Sequence, residues 1–490
     1  MKARHSAWRA AALAAAWLAA GCANLAPGYV QPAAPVPAAW QSAVPRPGAL
    51  AAPVPDLTVQ DFFIDPRLRG VVELALSSNR DLRVAALNIE RARAQYGIQR
   101  ASLLPAINAT GAASRTRTAE DVSSNGIATT QNAFSANAGL ASWEIDFFGR
   151  LRNLDDAALE TFLATTETRR STQISLVADT ATAWLTLAAD QRRLRLARET
   201  LQSQQASYEL TRRAHAVGAE SGLTLAQART TVDAARADVA GYTRAVAQDR
   251  NALALLAGAA VPEALLPPAD DDSAAQAAAL VAVPEGLPSD LLQSRPDVLA
   301  AEHTLRGANA NIGAARAAFF PRITLTAQAG SASRDLDRLF AGGNGAWTFA
   351  PQIVLPIFSA GALQASLDVA EITRDINVAQ YEKTLQTAFR EVADALAARA
   401  TVDEQLAAQR SLRDTSATAL ELSQARYRTG VDSYLDVQVA QRSLYSAGQT
   451  LITLQLAEQV NRLTLYKVMG GGWQQPEPAG AAQAAPQPAS

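Results

Sequence analysis

The sequence predicts a mainly α-helical chain with a smaller antiparallel β portion, built from two tandem copies of one unit. Three observations predict it. Asp81 to Thr110 matches Asp297 to Thr326 at a constant separation of 216 residues, with Ala85/Ala301, Gly97/Gly313, Arg100/Arg316, Pro105/Pro321 and Ile107/Ile323 coinciding. Residues 150–217 and 362–429 hold neither glycine nor proline, a run far longer than an ordinary globular helix. After Pro105 and after Pro321 the pattern changes to apolar–polar alternation, the period of a half-buried strand.

The elements follow in order. A basic start (Lys2, Arg4, Arg9), a short apolar run from Ala10 to Ala20 and then Gly21-Cys22 describe a secretory signal over residues 1–21. The run is too short for a permanent bilayer span. Residues 22–64 form a proline-rich extension, read as an extended tail able to carry the chain along a surface. The first repeat occupies 65–258 and the second 291–470, joined by a linker at 259–290. A tail at 471–490, rich in Ala, Pro and Gln, is read as disordered.

Within each repeat a helical segment ends at Pro105 or Pro321. Beyond the strands the separation becomes 212, pairing Gly149/Gly361, Gly218/Gly430, Ser221/Ser433, Leu223/Leu435 and Gly258/Gly470. The glycine-free runs read as single helices about 100 Å long. Gly218 and Gly430 suit helix C-caps, and a shorter helix follows each. Leu187, Leu194, Leu201 and Tyr208 recur every seven residues, and Val437/Ala440, Leu444/Ala447 and Leu451/Leu454 repeat the pattern. Such stripes pack helices along their length.

Four strands are expected: Ala106 to Thr118, Ala133 to Phe147, one beginning at Ile323, and Trp347 to Ile357. One apolar and one polar face over this length fit a transmembrane β-barrel. Trp143, Phe147, Phe148, Trp347 and Phe349 are placed for an interfacial girdle. Four strands are too few to close a barrel, and lipid forbids an open sheet edge. If the strands cross a membrane, several chains must share one barrel.

Composition narrows the function. A net charge of −2 gives no footprint for nucleic acid. One cysteine and three histidines exclude disulfides within the chain and cysteine-rich metal sites. His215 and His303 have no second ligand at helical spacing, Asp270-Asp271-Asp272 reads as a solvated loop, and no nucleophile–base set can be named. No catalytic residue, metal site or cofactor is expected. Aromatics are 6% while alanine dominates, which suits thin helical layers better than a thick globular core.

These residues together resemble the TolC-type outer-membrane efflux proteins, in the lipoprotein branch typified by OprM and NodT. The marks are Cys22-Ala-Asn-Leu-Ala-Pro-Gly-Tyr29, Asp146-Phe-Phe-Gly-Arg150, Ser294-Arg-Pro-Asp-Val298, Ala318-Phe-Phe-Pro321, Arg428-Thr-Gly-Val-Asp-Ser-Tyr-Leu435 and Gly470-Gly-Gly-Trp473. The resemblance implies a homotrimer with a shared twelve-stranded barrel and a periplasmic α-helical tunnel. It implies a lipid on Cys22 and residence in the Gram-negative outer membrane. It also implies passive conduction of small molecules such as drugs, with an RND-type pump in the inner membrane and a periplasmic membrane-fusion adaptor as partners. The adaptor-docking tips carry over to Val217-Gly218-Ala219 and Thr429-Gly430-Val431. The periplasmic gate carries over to Leu435, Val439 and Arg442, with Asp432 and Asp436 nearby. OprM has an aspartate where this chain has Val439, so an acidic closing ring and an apolar gate both stay open. A duct for type I protein secretion and a structural coiled-coil envelope lipoprotein are the alternative readings.

Overall fold

Asp65 starts the first helix because its carboxylate accepts from the Arg67 and Leu68 backbone amides at 2.7 and 3.4 Å, with Pro66 in the first helical position. The computed structural model describes residues 24–38, 40, 62–124, 126–268 and 289–471. Cys22, residues 1–21, the three linker aspartates and Trp473 lie outside them. Eleven helices and strands of more than six residues are present among the described residues, in the order α1 (Pro66–Ser78), α2 (Arg80–Ala101), β1 (Ile107–Thr118), β2 (Thr129–Ile145), α3 (Arg150–Ala216), α4 (Gly222–Ala257), α5 (Pro296–Ala317), β3 (Arg322–Ser333), β4 (Gly345–Val354), α6 (Ala362–Arg428) and α7 (Tyr434–Val468).

The duplication is visible in the element lengths. α2 and α5 each have 22 residues, β1 and β3 each have 12, and α3 and α6 each have 67. The chain divides into two compact units. A sheet unit contains Asn88–Thr166 and Ala300–Glu382 with residues up to Ala33; a helical unit contains Ala34–Leu87, Glu167–Leu299 and the chain from Lys383 onward.

In the helical unit the core gathers Val71 and Val72 of α1, Val177, Trp184 and Leu187 of α3, Leu253 of α4 and Leu463 of α7. Phe62 and Phe63 are fully buried in it, and the Phe62 ring stacks on Tyr466 at 4.1 Å. The end of the proline-rich extension is therefore part of this core. Trp184 donates its indole N–H to the Leu265 carbonyl at 2.9 Å, which satisfies its polar atom inside an apolar cluster. The predicted heptad stripes are the packed faces: Leu187 and Leu194 are buried, as are Val437, Ala440, Ala447 and Leu451.

In the sheet unit the four strands pair antiparallel in sequence order. Register fixes the faces, since directly opposed residues share one. Ile107/Leu140, Ala109/Ala138, Gly111/Ala136 and Ala113/Phe134 share a face with Leu140/Ala327, Trp143/Leu325, Ala327/Phe349 and Ala329/Trp347. The opposite face carries Asn108, Thr110, Asn137, Thr324, Thr326, Gln328 and Gln352. Trp347 and Phe349 stand exposed on the apolar face. β1 and β4 are the two sheet edges, and Pro351 is tolerated because β4 is one of them.

Four features depart from the expected strands, the first being that β4 runs over Gly345–Val354 and stops three residues short of Ile357. β2 begins at Thr129, because Thr129 to Asn132 pair with Thr118 to Arg115. β2 ends at Ile145, so Phe147 and Phe148 belong to the following turn, and the Phe148 ring stacks on Phe320 at 4.8 Å. Between Leu140 and Trp143 the register slips by one residue, with Ser142 at φ +52° and its amide donating to Thr326 Oγ1 at 3.1 Å. That bulge keeps Trp143 and Ile145 on the apolar face; without it their parity would reverse.

Residues 24–31 do not hang free. Asn309 donates to the Pro27 carbonyl at 2.8 Å, Tyr29 donates to Glu302 at 3.2 Å, and Gln31 donates to the Tyr381 hydroxyl at 3.0 Å. The strap crosses α5 at Gly313, where an added Cβ would lie 2.7 Å from the Ala26 nitrogen and 2.6 Å from Asn153 Nδ2. Only glycine admits the strap there.

Candidate functional site: the helix tips and the start of α7

The tips arise where two long helices stop. At the first tip Gly218 takes φ +77°, its amide donates to the His215 carbonyl, and the Ala219 amide reaches back to the Ala214 carbonyl, both at 2.9 Å. At the second tip Gly430 takes φ +75°, and the Val431 amide reaches the Arg426 carbonyl at 2.9 Å. Both are left-handed glycine caps that turn the chain sharply. Val217, 80% exposed, and Val431, 62% exposed, crown the two turns. Ala219 and Thr429 are exposed beside them.

The next helices start differently. Ser221 Oγ accepts from the Thr224 amide at 3.1 Å and caps α4. Before α7, Asp432 is held by Arg426 through two contacts of 2.6 and 2.8 Å, and the guanidinium keeps its carboxyl below the usual range. Asp436 accepts from both the Ser433 amide at 3.2 Å and the Ser433 hydroxyl at 2.7 Å. Both acids near the predicted gate are thus engaged in shaping the turn. Sequence spacing could not reveal this, since the Arg426 partner lies on the preceding helix.

α7 then shows two faces. Tyr434, Val437, Gln438, Ala440 and Gln441 are buried. Tyr434 and Val437 cluster with Ala228 of α4, and Tyr208, Leu420 and Tyr427 close around them. The other face presents Leu435 at 51% and Val439 at 48% exposure, one turn apart, with Arg442 exposed beyond. Leu435, Val439 and Arg442 therefore share an accessible face, while Asp436 is tied to the cap.

A ladder of side-chain hydrogen bonds joins the two repeats inside the helical unit. The Tyr427 hydroxyl donates to Glu220 at 3.1 Å, Tyr445 donates to Asp238 at 2.9 Å, and Gln449 donates to the Tyr242 oxygen at 3.0 Å. Every rung spans 207 residues, so α4 and α7 run parallel in fixed register. Burial and the Glu220 carboxylate push the Tyr427 phenol up to about 12, and burial with Asp238 raises Tyr445 further. Both hydroxyls stay protonated donors. Above the ladder Arg193 of α3 pairs with Asp190 and donates to Thr453 of α7 at 2.9 Å. Asp249 of α4 lies beside Asp190, and burial together with that neighbouring charge pushes its carboxyl up to about 6.

Among the described residues no cluster of His, Cys, Asp and Glu could hold a metal ion, and no helix is long and apolar enough to cross a membrane. His303 pairs with Glu160 at 2.6 Å, and His215 Nδ1–H donates to the Glu220 carbonyl at 2.9 Å.

The family model described as "Outer membrane efflux protein" matches twice, at residues 71–259 and 287–471. The chain is 50% identical over 465 residues to the toluene efflux pump outer membrane protein TtgC of Pseudomonas putida, covering 94% of each chain. Among solved structures, a membrane protein from Pseudomonas aeruginosa is similar with a TM-score of 0.84 and 40% identity, over 91% of this chain and all of the other. The open state of the Neisseria gonorrhoeae MtrE outer membrane channel is similar with a TM-score of 0.81 and 36% identity, over 92% and 99%.

Proposed function

The chain belongs to the outer membrane efflux protein family and is an outer-membrane efflux channel; on that premise we propose that it works as a homotrimeric exit duct closed at its periplasmic tips by an apolar ring. The four-stranded sheet with one apolar face and two open edges carries this reading. Lipid cannot satisfy the free backbone groups of β1 and β4. Pairing β1 of one subunit with β4 of the next gives twelve strands and removes every edge.

The repeats supply the helical counterpart. α5 packs on α3 within the chain, with Gly313 against Asn153 and Gly307 against Ala157. The equivalent α2 leaves Gly97 open, with nothing within 4 Å, and Ile98 74% exposed. The positions of α6 that correspond to Asn153 and Ala157 are Ala365 and Val369, and Val369, Ile372 and Ile376 are exposed. In the trimer α2 takes α6 of the neighbouring subunit as its partner.

At the threefold end Leu435 and Val439 would meet their copies and close the entrance by excluding water, with Arg442 above them and Asp432 and Asp436 shaping the turns. Val217-Gly218-Ala219 and Thr429-Gly430-Val431 would be the surfaces that a periplasmic membrane-fusion adaptor engages. Energy would come from an inner-membrane pump of the RND type. Cys22 would carry the lipid, and no other cofactor is required. TtgC serves a toluene pump, and small hydrophobic molecules are the cargo proposed here.

Single-channel recording of the purified protein in planar bilayers tests the duct: a discrete conductance supports it, and no pore sinks it. The double variant Leu435→Ser/Val439→Ser should raise open probability about tenfold, as expected when an apolar constriction is wetted. Unchanged open probability would remove these residues from the gate.

A further inference from the structure

The apolar face of the sheet ends in two arginines. Register places Arg115 opposite Asn132 and Arg117 opposite Thr130, on the face that carries Ile107, Ala109, Gly111 and Ala113 lower on the same strand. On β2 the apolar positions of this face run from Ile145 to Phe134, and Phe134 pairs with Ala113. At about 3.3 Å per residue and a tilt of about 40°, that run rises roughly 27 Å. It matches the apolar band of a membrane barrel, about 25 Å tall. Arg115 and Arg117 are the next two positions outward. Both are exposed, and neither makes an ion pair among the described residues. The strand's other face at this level carries Ser114, Thr116 and Thr118. The second hairpin differs, since β3 ends on this face in Ser331 and Ser333.

Both strand pairs begin at the helices and end in the polar loops, so the arginines lie at the loop end, opposite the periplasmic helices. The nearest acids in sequence, Glu120 and Asp121, follow in a short 3₁₀ turn past the end of β1. Asn132 and Thr130 add neutral hydrogen-bonding groups across from each guanidinium.

We propose that Arg115 and Arg117 form a docking rim for the phosphate groups of the glycolipid that makes up the outer leaflet, one rim per subunit. A guanidinium pairs with a phosphate through two parallel hydrogen bonds and keeps its charge at any physiological pH. At the interface its stem lies along apolar surface while its head reaches the phosphate level. The serines at the end of the other hairpin offer no such charge on this face, and its exposed Arg334 and Arg338 follow beyond the end of β3. This inference rests on the outer-membrane reading above.

The full-length protein is purified from its membrane, and bound phosphorylated glycolipid is counted by native mass spectrometry, with conductance recorded on the same preparation. The wild type should retain glycolipid, and Arg115→Gln/Arg117→Gln should retain at least about fivefold less at equal conductance. In reconstitution, the bisphosphorylated form of the glycolipid should bind the wild type, whereas its enzymatically dephosphorylated form and phosphatidylglycerol should not compete. Equal retention by both proteins overturns the proposal. So does equal binding of the dephosphorylated form to the wild type, an arm that needs no variant to fold. Loss of conductance in the wild type would instead count against the duct itself.

Discussion

The two repeats fold into the same elements but use them differently. Helix α5 is closed over: the strap at Ala26 to Gln31 lies on it, Gly313 is crowded, and α3 packs beside it. Helix α2, equal in length, leaves Gly97 in open space. A second contrast lies in the helical unit, where Asp190 and Asp249 of the first repeat correspond to Val402 and Asn461 of the second. Val402 is buried, and Asn461 donates to the Ala395 carbonyl at 2.9 Å. One copy keeps a strained carboxyl pair where the other has a neutral packed contact. Duplication conserves the backbone plan while each copy acquires its own partner.

The largest expected effect lies in the sheet. β2 carries the bulge at Ser142, and β4, its counterpart, pairs with β3 without a slip. Deleting Ser142 should leave Ala141 opposite Thr326 and Trp143 opposite Leu325, with parity kept, whereas deleting Ala350 should carry Phe349 opposite Thr326 and Trp347 opposite Gln328, on the polar face. Glu144 is buried and bound by Arg150 at 2.8 Å and Arg322 at 2.5 Å, and removing Ser142 keeps it on the same face as before. Folded protein in the outer-membrane fraction should fall by about tenfold or more on deletion of Ala350. An equal fall on deletion of Ser142 would show that the bulge does more than set the parity of β2.

Substitutions at the paired glycines come next. Gly313→Ala should cost about 1–3 kcal/mol by overpacking against Asn153 and the strap, seen as a lower unfolding midpoint. Gly97→Ala meets nothing within its own chain, so its effect should appear only in subunit association, read from trimer dissociation on heating. A trimer indifferent to Gly97→Ala and to Gly97→Leu would place the α2 face outside the interface.

At the tips, Tyr427→Phe removes the hydrogen bond to Glu220. A bond to a charged group contributes about 1.5 kcal/mol, which predicts roughly tenfold more open time in single-channel records. Thr429→Ala on the same turn loses only bonds to its own helix and should leave gating unchanged.

The smallest effect is in pH dependence. Asp249 is pushed up to about 6, above an ordinary aspartate near ~3.9. Between those values the unfolded chain has given up a proton that the folded chain keeps. The contribution of Asp249 to folded stability therefore falls as pH rises from about 4 through about 6, and is flat above. Asp249→Asn, which makes the first repeat like the second, should raise the unfolding midpoint by about 2 °C at pH 7.5 and leave it unchanged at pH 4. A midpoint difference between Asp249→Asn and the wild type that stayed constant from pH 4 to pH 7.5 would contradict the assignment.

Much of this was legible in the amino-acid order. Long runs without glycine or proline mark α3 and α6 because nothing in them interrupts a helix, and Gly218 and Gly430 mark their ends because left-handed caps select glycine. That Leu435 and Val439 share one helix face was legible through helical spacing. The bulge was not, since Ser142 looks like any strand residue until its neighbour's register is known. Nor was the strap, whose Tyr29, Gln31 and Pro27 bond to residues more than 270 positions away. Nor was the pairing of Asp432 with Arg426, which the turn geometry sets. Long-range pairing leaves no local signature.

The constant 207-residue spacing of the ladder has a mechanical consequence. A lengthwise slide of α7 along α4 would have to shear the Tyr445 and Gln449 rungs at once, and the Tyr427 rung ties the end of α6 to the turn before α4. Swinging the tip sideways unzips them singly, Tyr427 first, Tyr445 next and Gln449 last. The ladder is stiff along its axis and compliant across it. A force at the tips is thus spent on widening the end of the tube, and little of it stretches the tube.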